Sequence, residues 1–125
     1  YTFFSYAEMH LIGAESYARK GDAQAKKWLE DFQRCRICDY DGYKGNDVLQ
    51  EILNERRREF CFEYDMRWCD LIRTQEGWTR NSYGDEEAIY TLEDGDYRFC
   101  MPIPLNEELQ YNDIEQNPGW GFLMD

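Results

Sequence analysis

The sequence predicts a mainly α domain that combines a helical hairpin, a second helix pair, a small β-hairpin and an extended C-terminal tail. Three observations predict this fold class. Apolar residues recur at helical spacing in four stretches before residue 75. An Asp-Gly pair, Asp94-Gly95, lies between two short apolar-bearing runs, as in a hairpin turn. Pro102 and Pro104 then hold the chain extended. With 125 residues and 42% hydrophobic content, we expect one globular domain over 1–125.

The first helix is predicted from Ser5 to Arg19. Ser5 is a candidate N-cap, and Glu8 stands three residues later, which is the spacing of a capping box. Gly21 interrupts the pattern, and Asp22 is the expected cap of a second helix. Because the connection is so short, the two helices should lie antiparallel.

This hairpin also keeps part of the spacing of a tetratricopeptide (TPR) repeat. Ala14, Tyr17 and Gly21 stand at TPR positions. The next expected alanine falls at Lys26, and Ala25 stands one position early. We therefore predict a single, degenerate TPR-like helical hairpin.

Residues 39–46, DYDGYKGN, read as a loop. A calcium loop of the EF-hand type is not predicted, since Lys44 takes the place where that motif requires glycine. Tyr40 and Tyr43 are candidate binding residues, because exposed aromatic rings stack on the apolar faces of sugars. The alternative, that both tyrosines pack on the helices below, stays open.

The stretch from Ile52 to Arg73 mixes apolar residues with both signs of charge. We predict one helix from about Asp47 to Cys61 and a shorter one that ends near Arg73. Helical spacing brings Glu55 within reach of Arg58.

Two interpretations of these charges remain open. One is a solvated helix face with weak ion pairs. The other is a partly buried network that locks two helices together, in which arginine pairs bidentately with carboxylate. Helical spacing pairs Glu59 with Arg56 in this network. The predicted members are Glu55, Arg56, Glu59, Glu63, Arg67, Asp70 and Arg73.

The rest of the chain is expected to be less regular. The polar segment 75–87 is predicted as a loop that contains two further candidate binding residues, Trp78 and Tyr83. Strands are expected on both sides of Asp94-Gly95, within 88–101. After the prolines we predict a helical turn at 105–109, a turn at 116–119 and a return of Trp120 to the core.

The cysteines and the single histidine, His10, are interpreted as structural. Five cysteines are an odd number, and we expect Cys35, Cys61 and Cys69 to lie in apolar, helical surroundings. Cys35 and Cys38 form one C-x-x-C pair, but a zinc site would need a second pair or more histidines. No metal and no cofactor is therefore predicted.

Three motifs follow one another along the chain. They are Tyr6-Ala7-Glu8, Ile12 and Ala14-Glu15, then Glu55-Arg56-Arg57, Glu59, Arg67-Trp68 and Asp70-Leu71 with Arg73, then Pro102-Ile103-Pro104, Glu108-Leu109, Asn112 and Gln116-Asn117-Pro118-Gly119-Trp120. In this order, they resemble the SusD/RagB family of surface nutrient-binding lipoproteins in Bacteroidetes-type outer membranes. The resemblance covers nearly the whole chain and implies its C-terminal place in a longer parent. Tyr64 stands where the family usually has glycine, and one extra residue precedes Arg67.

The resemblance implies a non-enzymatic protein that binds glycans or other nutrients at the outer-membrane surface. It further implies a lipid anchor outside this sequence and a TonB-dependent, SusC-like transporter as partner in polysaccharide uptake. Tyr40, Tyr43, Trp78 and Tyr83 are then the candidate ligand contacts. The alternative is a helical protein–protein docking module without a ligand of its own, since repeat-like hairpins commonly present grooves to partners.

Charge and motif content argue against other functions. A formal net charge of -12 disfavours binding to nucleic acid or to an anionic membrane face. A hydrolase with paired carboxylates such as Glu55 and Glu59, or Glu63 and Asp70, is a third hypothesis. It is disfavoured because arginines within helical reach stabilise the ionised form of a carboxylate. No nucleophile elbow or Walker loop occurs in the sequence.

Overall fold

The computed structural model describes residues 5–63, 65–81, 89–104 and 115–121. It confirms the predicted fold class, mainly α with a small antiparallel sheet. The chain divides into two compact units, Tyr1–Tyr64 and Asp65–Asp125; the expectation of one domain over 1–125 stays a prediction. The first unit contains α1 (Tyr6–Arg19), α2 (Gln24–Arg34) and α3 (Val48–Glu59). The second contains α4 (Met66–Thr74), β1 (Trp78–Asn81), β2 (Ile89–Leu92) and a 3₁₀ turn (Tyr97–Phe99).

The helices α1 and α3 begin at side-chain caps. The Ser5 hydroxyl accepts a hydrogen bond from the Glu8 N–H at 3.0 Å. The Asp47 carboxylate accepts one from the Gln50 N–H at 2.9 Å. Each cap satisfies one of the backbone amides that a helix start leaves without an intrahelical partner. The predicted starts of both helices are therefore correct to within one residue. The end of α3 was predicted near Cys61, whereas the helix ends at Glu59.

The start of α2 differs slightly from the prediction. Ala23, not Asp22, is the N-cap residue, and it offers no side-chain hydrogen bond. The Asp22 carboxylate nevertheless accepts the Gln24 N–H at 2.9 Å. Gly21 precedes it with φ of +68°, a conformation that glycine adopts without steric cost. Asp22 thus still supplies the capping bond, from one position further out.

The seam between α1 and α2 is filled by aromatic rings. His10 Nε2 lies 2.8 Å from the carbonyl oxygen of Trp28. The centroid of the His10 ring lies 4.8 Å from that of Trp28 and 5.7 Å from that of Phe32. Gly13 lies beneath Trp28, and a Cβ there would stand 2.5 Å from the indole ring. His10 therefore has a structural role in this hairpin.

The core of the first unit contains one large, fully buried aliphatic side chain from each helix: Leu11 of α1, Leu29 of α2 and Ile52 of α3. Burying a side chain of this size stabilises a fold by roughly 1.5–3 kcal/mol relative to leaving it exposed. Helix α1 packs against both α2 and α3. The third helix therefore closes the apolar side of the hairpin.

The two-stranded sheet of the second unit pairs different segments from those predicted. β2 pairs antiparallel with β1, with Trp78 opposite Leu92, so a segment predicted as a loop is a strand. The prediction of a second strand after Asp94-Gly95 is wrong, because the segment 97–101 begins with a 3₁₀ turn. Asp96 causes this change, because its carboxylate accepts the Arg98 N–H at 2.8 Å and bends the backbone locally.

The tail of the second unit is held by side-chain hydrogen bonds. Gln116 bonds to both backbone groups of Ile103, accepting its N–H at 2.7 Å and donating to its carbonyl at 2.8 Å. Trp120 donates its indole N–H to the Cys100 carbonyl at 2.8 Å and meets the Tyr97 ring edge-on, 5.1 Å between centroids. The expected turn at 116–119 is present around Pro118. The expected helical turn at 105–109 lies outside the described residues.

All five cysteines are exposed, and none forms a disulfide. This corrects the expectation that Cys35, Cys61 and Cys69 lie in apolar, helical surroundings. The reason is positional for two of them, since α2 ends at Arg34 and α3 ends at Glu59. Cys35 and Cys61 therefore lie beyond the helical turns that face the core.

Candidate functional site

The loop 39–46 is bonded to the helices of the first unit by its tyrosines. The Tyr40 hydroxyl donates to Gln33 Oε1 at 2.7 Å. The Tyr43 hydroxyl donates to the Asp47 carbonyl at 2.7 Å, and its backbone N–H donates to Glu30 at 3.2 Å. Both side chains are half-buried. Burial raises the pKa of the Tyr40 phenol, and the negative charge of Glu30 adds to the effect.

Tyr40 belongs to a polar network that joins α2 to α3. Gln33 Nε2 donates to Glu55 at 2.7 Å and to Glu51 at 3.2 Å. Arg58 donates to Glu55 at 2.8 Å and also pairs with Glu51. The hydrogen bonds that Arg58 donates to Glu55 and then to Glu51 raise the pKa of Arg58. These carboxylates are therefore engaged as hydrogen-bond acceptors within the fold.

Three further members of the predicted network lie in the first unit: Arg56, Glu59 and Glu63. Arg36 binds Glu59 through two hydrogen bonds, Nε to Oε2 at 3.0 Å and Nη2 to Oε1 at 2.6 Å. This fork geometry is the strong form of an ion pair, and the Glu59 carboxylate raises the pKa of Arg36. Arg56 is buried, with its guanidinium 5.3 Å from the Phe60 ring centroid. Glu63 is exposed.

The remaining members of the predicted network lie in the second unit. Arg73 Nε donates to Asp70 at 2.9 Å, and Asp70 is buried. Arg67 is half-buried on the same helix, α4. A single network over all seven predicted members stays a prediction.

A groove of about 520 Å³ lies at the end of the sheet where the chain enters β1 and leaves β2. The exposed hydroxyls of Thr79 and Thr91 are 3.2 Å apart across the two strands. Asp94 accepts the Gly77 N–H at 2.6 Å, which ties the two chain segments together. The residues that line this groove are Gly77, Trp78, Thr79, Thr91, Leu92, Glu93 and Asp94.

Of the four candidate contacts, the groove contains one. Trp78 is half-buried and lines it, whereas Tyr40 and Tyr43 belong to the first unit and Tyr83 lies outside the described residues. The sequence interpretation missed the threonine pair. The sequence around each threonine is too short to predict a strand from its pattern. In addition, Thr79 and Thr91 are neighbours only because of the register in which the two strands pair.

Two observations bear on other kinds of site. Within the described ranges, no helix is both long enough and apolar enough to cross a bilayer. The same ranges contain no cluster of three or more histidine, cysteine or acidic side chains arranged to hold a metal ion.

These features define a mainly α protein with a helical hairpin and a polar groove beside a small sheet. The model of the SusD family matches residues 1–120, and the chain belongs to this family. The resemblance inferred from the sequence motifs is thereby confirmed. The family is one of binding proteins, known for glycan and nutrient binding at the cell surface. Comparison with curated proteins and with solved structures gave no match.

Proposed function

We propose that the chain is part of a cell-surface, glycan- or nutrient-binding lipoprotein that works with a TonB-dependent outer-membrane transporter in polysaccharide uptake. The observation that carries this proposal is the family match over residues 1–120. The parent protein is then attached to the outer membrane by a lipid anchor and exposed at the surface. Its partners are a SusC-like transporter and an oligosaccharide or another nutrient.

The engagement of the carboxylates supports binding rather than hydrolysis. Glu55, Glu59 and Asp70 each accept a hydrogen bond from an arginine within 3.0 Å. A general acid must carry a proton that it can transfer to the leaving group. In the folded chain, each of these three carboxylates is instead an acceptor for a guanidinium N–H. We therefore assign these three side chains a structural role, as partners of arginine within the folded chain.

The test is affinity electrophoresis of the chain in gels that contain soluble polysaccharides, together with co-purification with the SusC-like transporter. Retarded migration in at least one glycan, and a stable complex with the transporter, are expected. Unchanged migration in every glycan combined with no complex would contradict the proposal. An unrelated acidic protein of similar size is the control for non-specific retardation, since this chain has a net charge of -12.

A docking module without its own ligand is the second candidate, and the outer face of α1 favours it. Tyr6, Met9 and Ile12 recur at three-residue spacing and are 84%, 57% and 43% exposed. An exposed apolar row of this kind is typical of an interaction surface. Under this candidate, the double variant Met9→Asp/Ile12→Asp loses the transporter while the unaltered chain binds no glycan. Glycan binding by the unaltered chain would exclude it.

A further inference from the structure

We propose that the segment 61–63, at the end of the first unit, is a cleavage site for an endopeptidase whose specificity pocket accepts an aromatic side chain. The bond that is cut joins Phe62 to Glu63. The inference goes beyond the proposed function and does not depend on it. It rests on the exposure of three successive residues, on the backbone conformation of Phe62 and on the boundary between the units.

The side chain of Phe62 projects into solvent. Phe62 is 104% exposed, whereas Phe60, two residues earlier, is 6% exposed and belongs to the core. Cys61 and Glu63 are exposed as well. The chain therefore leaves the core directly after Phe60 and presents three accessible residues in a row. Proteolytic nicking concentrates in exposed connecting segments of this kind.

The backbone of Phe62 is strained. Its φ is +63°, in the left-handed region that a bulky residue rarely adopts. Within the described part of the chain, one backbone hydrogen bond holds the segment, from the Glu63 N–H to the Phe60 carbonyl at 3.1 Å. An extended peptide is recognised through its main chain and its side-chain pockets, so the segment has to open before it is cut. Opening gives up this bond but releases the strain, because extended backbone has a negative φ.

The position of the segment limits what this opening disrupts. The first unit ends at Tyr64 and the second begins at Asp65. Helix α3 ends at Glu59, and α4 begins at Met66, so the segment lies outside both helices. It can therefore open without breaking the hydrogen bonds inside a helix. Local opening of a connecting segment costs less free energy than opening of a packed helix or strand.

The reaction is the hydrolysis of one peptide bond. The serine oxygen of a serine endopeptidase attacks the carbonyl carbon of Phe62 while the specificity pocket holds the phenyl ring, and the amine of Glu63 leaves with a proton. Water then hydrolyses the acyl-enzyme. One water molecule is consumed, and the products are residues 1–62, which end in a new carboxylate, and residues 63–125, which begin with a new amine.

The experiment is limited proteolysis of the full chain with chymotrypsin, followed over time by the intact masses of the products. We expect cleavage after Phe62 to be roughly tenfold or more faster than cleavage after Tyr90 or Tyr97, because the rate follows the population of the open segment. These two tyrosines are 54% and 39% exposed but lie in β2 and in the 3₁₀ turn. They are therefore internal controls for the exposure of an aromatic ring alone.

Phe62→Ala should slow cleavage at this bond roughly tenfold or more, because the apolar pocket of the protease loses the ring. A glutamate-specific endopeptidase should still cut after Glu63 in this variant, at the rate of the unaltered chain, since access to the segment is unchanged. Circular dichroism checks that the variant is folded. Cleavage after Tyr90 or Tyr97 as fast as after Phe62, an unchanged chymotrypsin rate in Phe62→Ala, or resistance to cleavage after Glu63 would each overturn the proposal. None of these outcomes bears on glycan binding.

Discussion

The side chain of Gln33 donates a 2.7 Å hydrogen bond to the carboxylate of Glu55, and both residues are buried. Gln33 comes from α2 and Glu55 from α3, so the bond joins two helices that are far apart in sequence. The oxygen of the same side-chain amide accepts a hydrogen bond from the Tyr40 hydroxyl. One glutamine therefore ties the loop 39–46 and two helices together.

Replacing Gln33 by leucine should destabilise the chain by about 1–3 kcal/mol, measured as the free energy of unfolding in urea. Leucine removes a donor from the buried Glu55 and the acceptor of Tyr40, and unsatisfied buried polar groups carry the cost of desolvation. Gln24→Leu on the exposed start of α2 is the control and should change stability by less than about 0.5 kcal/mol. Equal effects at both positions would show that the network contributes nothing.

Replacing Asp47 by alanine should cost about 1 kcal/mol, because α3 loses its N-cap. The Asp47→Asn variant keeps an oxygen acceptor at the same place and should cost clearly less. The hydrogen bond from Tyr43 goes to the backbone carbonyl of Asp47, so neither variant removes it. Thermal unfolding followed by circular dichroism in the far ultraviolet measures both. An alanine variant as stable as the asparagine variant would contradict the capping role.

The caps also show which parts of the fold can be predicted from sequence. Ser5 and Asp47 bond to amides three residues further along their own segment, so the signal is complete within a few letters. Strand β1 has no such signal, since its sequence WTRN lacks apolar alternation and its pairing with β2 is non-local. The 3₁₀ turn after Asp96 replaces a predicted strand because a side-chain bond outweighs a weak alternating pattern.

The charged pairs also show that local contacts can be predicted from the sequence, whereas contacts between distant segments cannot. Helical spacing offers Glu59 only partners on its own helix, yet the structure joins it to Arg36, 23 residues earlier in the sequence. Glu55 and Arg58, three residues apart, do meet as spacing predicts. The threonine pair of the groove likewise depends on strand register. Contacts within one turn are readable from the sequence, whereas contacts between elements require the packing.

Gly13→Ala should destabilise the chain, although alanine is the better helix former. The helix-propensity gain is about 1 kcal/mol. The new Cβ, however, would lie 2.5 Å from the Trp28 ring, which is held between His10 and Tyr17. Overpacking costs about 1–3 kcal/mol, so we expect a net loss of up to about 2 kcal/mol in urea unfolding.

Ser16→Ala is the control for Gly13→Ala, since Ser16 lies on an exposed face of the same helix. There the gain in helix propensity meets no clash, and stability should be unchanged or slightly higher. A Gly13→Ala variant that is more stable than the unaltered chain would mean that the Trp28 ring moves aside at little cost.

Asp96 should titrate at unusually low pH. Hydrogen bonds from the Arg98 side chain and then its backbone N–H lower the pKa of Asp96 from 3.8 to about 2. Because the folded pKa is below the unfolded one, the contribution of this carboxylate to stability is complete above pH 3.8 and is lost as the pH falls towards 2. Carbon-13 NMR of the side-chain carboxyl measures the pKa directly. Arg98→Gln should return it towards 3.8, and an unchanged value would refute the assignment.

Tyr40 should ionise above the ordinary tyrosine pKa of 10.0, because burial disfavours the phenolate and Glu30 repels it. Its folded pKa is raised, so the folded state holds the proton longer than the unfolded one. The contribution to stability is therefore complete below pH 10 and declines as the pH rises through the folded pKa. Ultraviolet titration of the unaltered chain, compared with Tyr40→Phe, gives the phenolate signal of Tyr40 by difference. Glu30→Gln should shift that signal to lower pH. A difference signal centred at or below pH 10 would show that the phenol is solvated and that the loop does not hold it against α2.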